Sequence, residues 1–168
     1  AHYIYKLSGL PKNQVIGTGT AIDSARLQNM IAQTVNVDPR SVHAYSMGEH
    51  GDSQMVPWST VTIAGKPFYD VIADNKELVG DVDLDELVYR TTQEGWEIFN
   101  RKGTTYYGIA TACVGVIKAI LNDENRIIPV STLLEGEYGE RDVYAGVPTV
   151  LNRSGAYDVL EIHMTPGE

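Results

Sequence analysis

The sequence predicts an α+β domain, with helices grouped around an antiparallel sheet. Two observations carry this. Two long segments of helical spacing, about 84–100 and 105–121, follow one another with no strand between them. After them, three alternating segments, about 127–133, 144–151 and 157–164, follow in succession with turns between. At 168 residues, 43% hydrophobic and 21% charged, the chain has the size and balance of one soluble domain with a real core.

The elements follow in order. Ala1 to Ser8 reads as an amphipathic helix, ended at Gly9-Leu10-Pro11, because glycine takes the left-handed cap and proline cannot continue. Val15-Ile16-Gly17 is a short apolar strand leading into Gly17-Thr18-Gly19. Thr20 stands where it caps a helix from Ala21 to Val35, with Asp23 three residues on as a variant capping box. In that helix Ile22, Ala25, Leu27, Met30, Ile31 and Val35 mostly keep helical spacing. Asp38-Pro39-Arg40-Ser41 forms a second cap-like turn, Val42 to Met47 alternates as a strand, and Glu49 to Ser53 is a polar loop.

Ser59 to Ile63 alternates again, and Ala64-Gly65-Lys66-Pro67 is a turn. The acidic stretch between Asp70 and Asp85 reads as an irregular exposed loop. The helix from Leu84 to Asn100 places Leu87, Trp96 and Phe99 on or near one face, and Lys102-Gly103 closes it. In the helix from Thr105 to Leu121, Gly108, Ala110, Ala112 and Gly115 allow close packing or leave room for a ligand. Both ends read as cut: the chain opens inside a helix, and Thr165 with Pro166 announce another that does not follow.

Composition narrows the function classes. A net charge of -9, from 22 acidic and 13 basic residues, argues against a nucleic-acid binder, which needs a basic face. Cys113 is the one cysteine, so an intrachain disulfide is excluded and a reducing compartment fits. No segment approaches the roughly 18 apolar residues that span a bilayer. Residues 1–6 carry no signal-peptide pattern, so a soluble cytoplasmic protein is expected.

Chemistry gathers at three positions. His50 lies in Gly48-Glu49-His50-Gly51-Asp52-Ser53, a loop where glycines permit close approach of a ligand and an imidazole can exchange a proton. A metal site is not expected, since His2, His43 and His163 show no ligand spacing to His50. Asp23 and Arg26, three apart on a helix, share a side. They could form a surface ion pair. Alternatively, the carboxylate orients an imidazole and the guanidinium fork grips a substrate carboxylate. Spacing alone leaves both open.

The segment Val15-Ile16-Gly17-Thr18-Gly19-Thr20-Ala21-Ile22-Asp23-Ser24-Ala25-Arg26-Leu27 resembles a signature of the L-lactate/malate dehydrogenase family. The segment Gly48 to Ser53 resembles that family's active-site loop, at the family's separation from the first. The resemblance implies the catalytic C-terminal domain for residues 18–168, with residues 1–17 as the tail of a nucleotide-binding domain. It implies NAD-dependent interconversion of pyruvate and L-lactate, in a homodimer or homotetramer. His50 would then be the acid/base, Asp23 its partner and Arg26 the carboxylate clamp. Gly103 to Ile109 resembles the family's helix start beside the substrate, with Thr105 at the substrate side chain and Ile109 against the nicotinamide.

Several features depart from the family's pattern. Many bacterial members bind fructose 1,6-bisphosphate through an arginine and a histidine; His43 matches the histidine but Gln28 replaces the arginine, so activation by that effector is expected to be weak or absent. Gln54 to Trp58 partly resembles enzymes acting on bulkier hydroxyisocaproate-type acids, and a malate activity is a further alternative. Gly17-Thr18-Gly19 lacks the third glycine of a dinucleotide loop, so this chain is not expected to hold NAD or turn over alone. A different class, a non-catalytic oligomerising fragment, stays open.

Overall fold

Leu27 and Ile31, one turn apart and fully buried, are the seed of the larger core. They belong to α2 (Ala21–Val35), which ends with Asn36 in the left-handed conformation. The computed structural model describes residues 1–168. Against the Leu27 face lie Val42, Val61, Ile63, Phe68 and Leu87. These come from β1 (Val42–His43), β2 (Thr62–Ile63), α3 (Phe68–Asp74), α5 (Leu84–Lys102) and the turn before β2. A third short strand, β3 (Lys66–Pro67), completes an antiparallel sheet in the order β1-β2-β3.

The second core lies between α6 (Tyr106–Leu121) and a meander of β4 (Arg126–Glu135), β5 (Arg141–Asn152) and β6 (Gly155–Val159). Val116 and Ala119 of α6 meet Val130, Leu151 and Ala156 there. Gly108 lets α6 close onto α2, because a Cβ would come within 2.8 Å of Ile22 Cδ1. The α+β prediction therefore holds, with helices on antiparallel sheets. No helix is long and apolar enough to cross a membrane.

Several element predictions are corrected. The expected loop 70–85 is mostly helical: α3 is followed by α4 (Lys76–Val79). Phe68, 1% exposed and stacked on Trp58 at 5.8 Å, anchors this segment to the core, a tertiary contact that local polarity conceals. The strand expected over 42–47 stops at His43, since Met47 and Gly48 pair with Met55 and Gly146 instead. Residues 58–60 form a 3-10 turn before β2. Val15 to Gly17 contributes only a bridge from Gly17 to Ser131. The last strand ends at Val159 rather than Met164: Leu160 N donates to Pro148 O at 2.9 Å, and Pro148 has no N–H to return. No helix starts at Thr165, whose N and Oγ1 both donate to the Glu168 carboxylate.

The first turn of α2 is pressed onto the large sheet. Gly19 has φ +53°, and a Cβ there would overlap Ser131 N and lie 2.7 Å from the Val130 carbonyl carbon. Gly146 on β5 meets Thr20, so a Cβ at 146 would lie 2.7 Å from Thr20 Oγ1. Thr20 consequently does not act as the expected cap: its hydroxyl makes no cap bond and is buried without a partner. Gly19→Ala should lower stability by about 3 kcal/mol, combining a strained backbone with overpacking. Urea titration of the two proteins measures this directly.

Candidate active site

Three pairings fix the frame of the site. Gly17 and Ser131 exchange backbone bonds of 2.9 Å, holding the entry to α2 against β4. Met47 and Met55 pair across the base of the loop, and Gly48 exchanges bonds with Gly146 of β5 at 2.8 and 2.7 Å. Within the loop, Gly48 (φ +88°) and Gly51 (φ +143°) take conformations that a side chain would resist, so the chain turns sharply on either side of His50.

A buried polar chain ties this loop to both helices. Ser46 N donates to Ser24 Oγ at 2.9 Å, and Ser46 Oγ donates to Gln54 Oε1 at 3.1 Å. Gln54 Nε2 then donates to Thr92 Oγ1 on α5 at 2.8 Å. Each buried group is satisfied, so the network rigidifies the loop rather than costing stability.

His50 thereby lies over the first turns of α2. Its Nδ1 donates to Asp23 Oδ2 at 2.6 Å, while Asp23 Oδ1 accepts from Arg26 Nη1 at 3.5 Å. The Asp23 side chain is 3% exposed and that of Arg26 is 11%, whereas that of His50 is 60% exposed. A carboxylate is thus buried between an imidazole and a guanidinium, which offsets its desolvation. Asp23 is not part of a capping box; its carboxylate faces the imidazole and guanidinium. With Nδ1 engaged by Asp23, Nε2 is the ring nitrogen left for a ligand.

The cleft above has a volume of about 730 Å³ and lies between α2, the His50 loop, α5 and the start of α6. Arg26, His50, Thr105 and Ile109 all line it, with Asp23 beneath. Thr105 stands just before α6 and makes no cap bond. From α5 come Thr92, Gly95, Trp96 and Phe99, spaced i, i+3, i+4 and i+7 along one face. Glu49 and Asp52 lie at the loop side. In the sequence Trp96 and Phe99 stand out only as part of a helix face, and Thr92 and Gly95 not at all. A mid-helix glycine, which costs about 0.5–1 kcal/mol relative to alanine, was the available signal for Gly95.

Ile109 adds an apolar side chain to this lining. Gly17-Thr18-Gly19 packs against β4: Gly17 bridges to Ser131, and a Cβ on Gly19 would overlap Ser131 N. Gln28 Nε2 donates to Ala44 O at 2.9 Å, so the residue standing in the expected arginine position is tied to the backbone beside the exposed His43.

A model of the lactate/malate dehydrogenase, alpha/beta C-terminal domain matches residues 20–168. The chain is 52% identical over 167 residues to L-lactate dehydrogenase 3 of Bacillus cereus, covering 99% of this chain and 53% of that protein. It is 49% identical over 168 residues to L-lactate dehydrogenase 1 of Bifidobacterium longum subsp. longum, again 53% of that protein. The crystal structure of a minor L-lactate dehydrogenase from Enterococcus mundtii, in its ligands-bound form, superposes with a TM-score of 0.93 at 41% identity, over 99% of this chain and 52% of that one. The chain spans about half the length of the curated relatives it matches.

Proposed function

The chain belongs to the lactate/malate dehydrogenase family, and from that premise we propose that it is the catalytic half of an NAD-dependent L-lactate dehydrogenase. In the full-length polypeptide it would convert pyruvate and NADH to L-lactate and NAD, in the cytoplasm and as a homo-oligomer. The observation that carries this is the buried Asp23 carboxylate bridging His50 and Arg26 beneath one cleft.

Each residue has one task in this scheme. Arg26 binds the carboxylate of the 2-oxo acid through its two-pronged fork and fixes the orientation of the carbonyl. Nε2 of the protonated His50 hydrogen-bonds the carbonyl oxygen and gives it a proton as that oxygen gains charge. Asp23 keeps the ring in the useful orientation and stabilises its charged form. Thr105 borders the substrate side chain, and Ile109 packs against the nicotinamide. The dinucleotide, when bound, supplies the hydride. In the oxidative direction Nε2 takes the hydroxyl proton back. The isolated chain is expected to be inactive.

Side-chain preference follows from the walls. Among the walls this chain supplies, a second carboxylate, as in oxaloacetate, would meet Glu49 and Asp52 and no arginine other than Arg26, which serves the first carboxylate. Steady-state assays of the full-length polypeptide should therefore give pyruvate a kcat/KM at least ~10-fold above oxaloacetate, about 1.4 kcal/mol of discrimination. Preference for oxaloacetate would make it a malate enzyme; preference for branched 2-oxo acids would make it a hydroxyisocaproate-type enzyme.

A second reading, a non-catalytic assembly unit, draws on α1 (His2–Ser8), which buries no residue and leaves Tyr3 and Leu7 each 85% exposed. Both readings allow self-association of the chain. Only the first predicts NADH oxidation once a nucleotide-binding half is supplied.

A further inference from the structure

Gly95 stands in the middle of α5 with an ordinary helical backbone, so conformation does not require a glycine there. Space does. A Cβ built on Gly95 would lie 3.3 Å from Arg26 Nη1, 3.5 Å from Nη2 and 3.7 Å from Cζ. The guanidinium thus rests against the bare backbone of α5, and its Nη1 would meet a side chain there more tightly than such contacts ordinarily are. Asp23 Oδ1 holds the same group from the α2 side.

We infer that Gly95 is a positioning residue: its missing side chain lets the Arg26 guanidinium sit with its Nη atoms close against α5, at the depth from which it grips the substrate carboxylate. The inference rests on the assignment of Arg26 as the carboxylate clamp. A methyl group at 95 pushes the fork a few tenths of an ångström into the cleft. That shift tilts both N–H prongs away from the plane of an incoming carboxylate and moves the carbonyl relative to His50 Nε2. A bidentate bond is directional, so a small tilt loses more than a point charge would.

The test uses the full-length polypeptide with Gly95→Ala, and with Gly95→Ser as a second small substitution. Alanine is the better helix former, so the expected thermal midpoint is equal or higher. The expected KM for pyruvate rises roughly 3- to 10-fold, the loss of part of one charge-assisted hydrogen bond. NADH affinity should not change. Combined with Arg26→Lys, Gly95→Ala should add less than about twofold, because the group it acts through is gone. Three results overturn the inference: a pyruvate KM within twofold of the parent for both variants, an equal rise in the parent and Arg26→Lys backgrounds, or a lowered thermal midpoint with lost NADH binding. If Arg26→Lys itself leaves KM unchanged, the carboxylate-clamp assignment fails first, which separates that failure from one confined to Gly95.

Discussion

Replacing His50 with asparagine in the full-length polypeptide should lower kcat by roughly 10²- to 10⁴-fold, the span that a positioned acid/base supplies. The asparagine amide can still donate a hydrogen bond to Asp23, whose carboxylate is buried and would otherwise lose its 2.6 Å partner. It cannot deliver a proton to a carbonyl oxygen. The loop should keep its place, because the Gly48–Gly146 pair and the Ser46–Gln54–Thr92 chain hold it without using the imidazole. NADH affinity, read by fluorescence titration, should therefore stay near that of the parent. A variant that loses NADH binding along with turnover would show that His50 supports structure and not proton transfer.

Arg26→Lys should raise the pyruvate KM by roughly 10- to 150-fold, equivalent to about 1.5–3 kcal/mol for one lost hydrogen bond to a charged group. Lysine keeps the positive charge but not the planar fork, and its flexible ammonium has no counterpart to the pair of Nη atoms resting against Gly95. Asp23 would keep His50 as a partner, so the helix and loop should remain in place. Part of the effect should also appear in kcat, because a carboxylate held by one bond no longer fixes the carbonyl beside His50. An unchanged KM would remove Arg26 from the carboxylate site.

Much of this fold is legible in the sequence because its long elements are locally determined. The helix read from Ala21 to Val35 is α2 to the residue, and the helices of α5 and α6 follow from periodicity and Gly103. Short elements were missed because partners far along the chain create them. Phe68 is held by Trp58, and Met47 and Gly48 pair with Met55 and with Gly146 of β5. Thr20 looks like a cap until Gly146 takes the space around its hydroxyl.

The site divides in the same way. Asp23, Arg26 and His50 stand in two recognisable segments, and the structure brings them within hydrogen-bonding distance. The Ser46–Ser24 and Gln54–Thr92 bonds link residues 22 and 38 positions apart, with no local pattern to announce them. Gly95 carried a faint signal, a helix-weakening residue in a strong helix, but only the position of Arg26 gives it meaning.

The decay of NADH absorbance after pyruvate is added to the full-length polypeptide, with His50→Asn and the isolated 168-residue chain measured alongside, tests directly whether this domain completes a lactate dehydrogenase. The full-length protein should consume NADH and pyruvate one for one and form L-lactate, while the other two leave NADH nearly untouched. A folded full-length protein that binds NADH yet oxidises none of it with pyruvate, or does so equally well without His50, would contradict that reading.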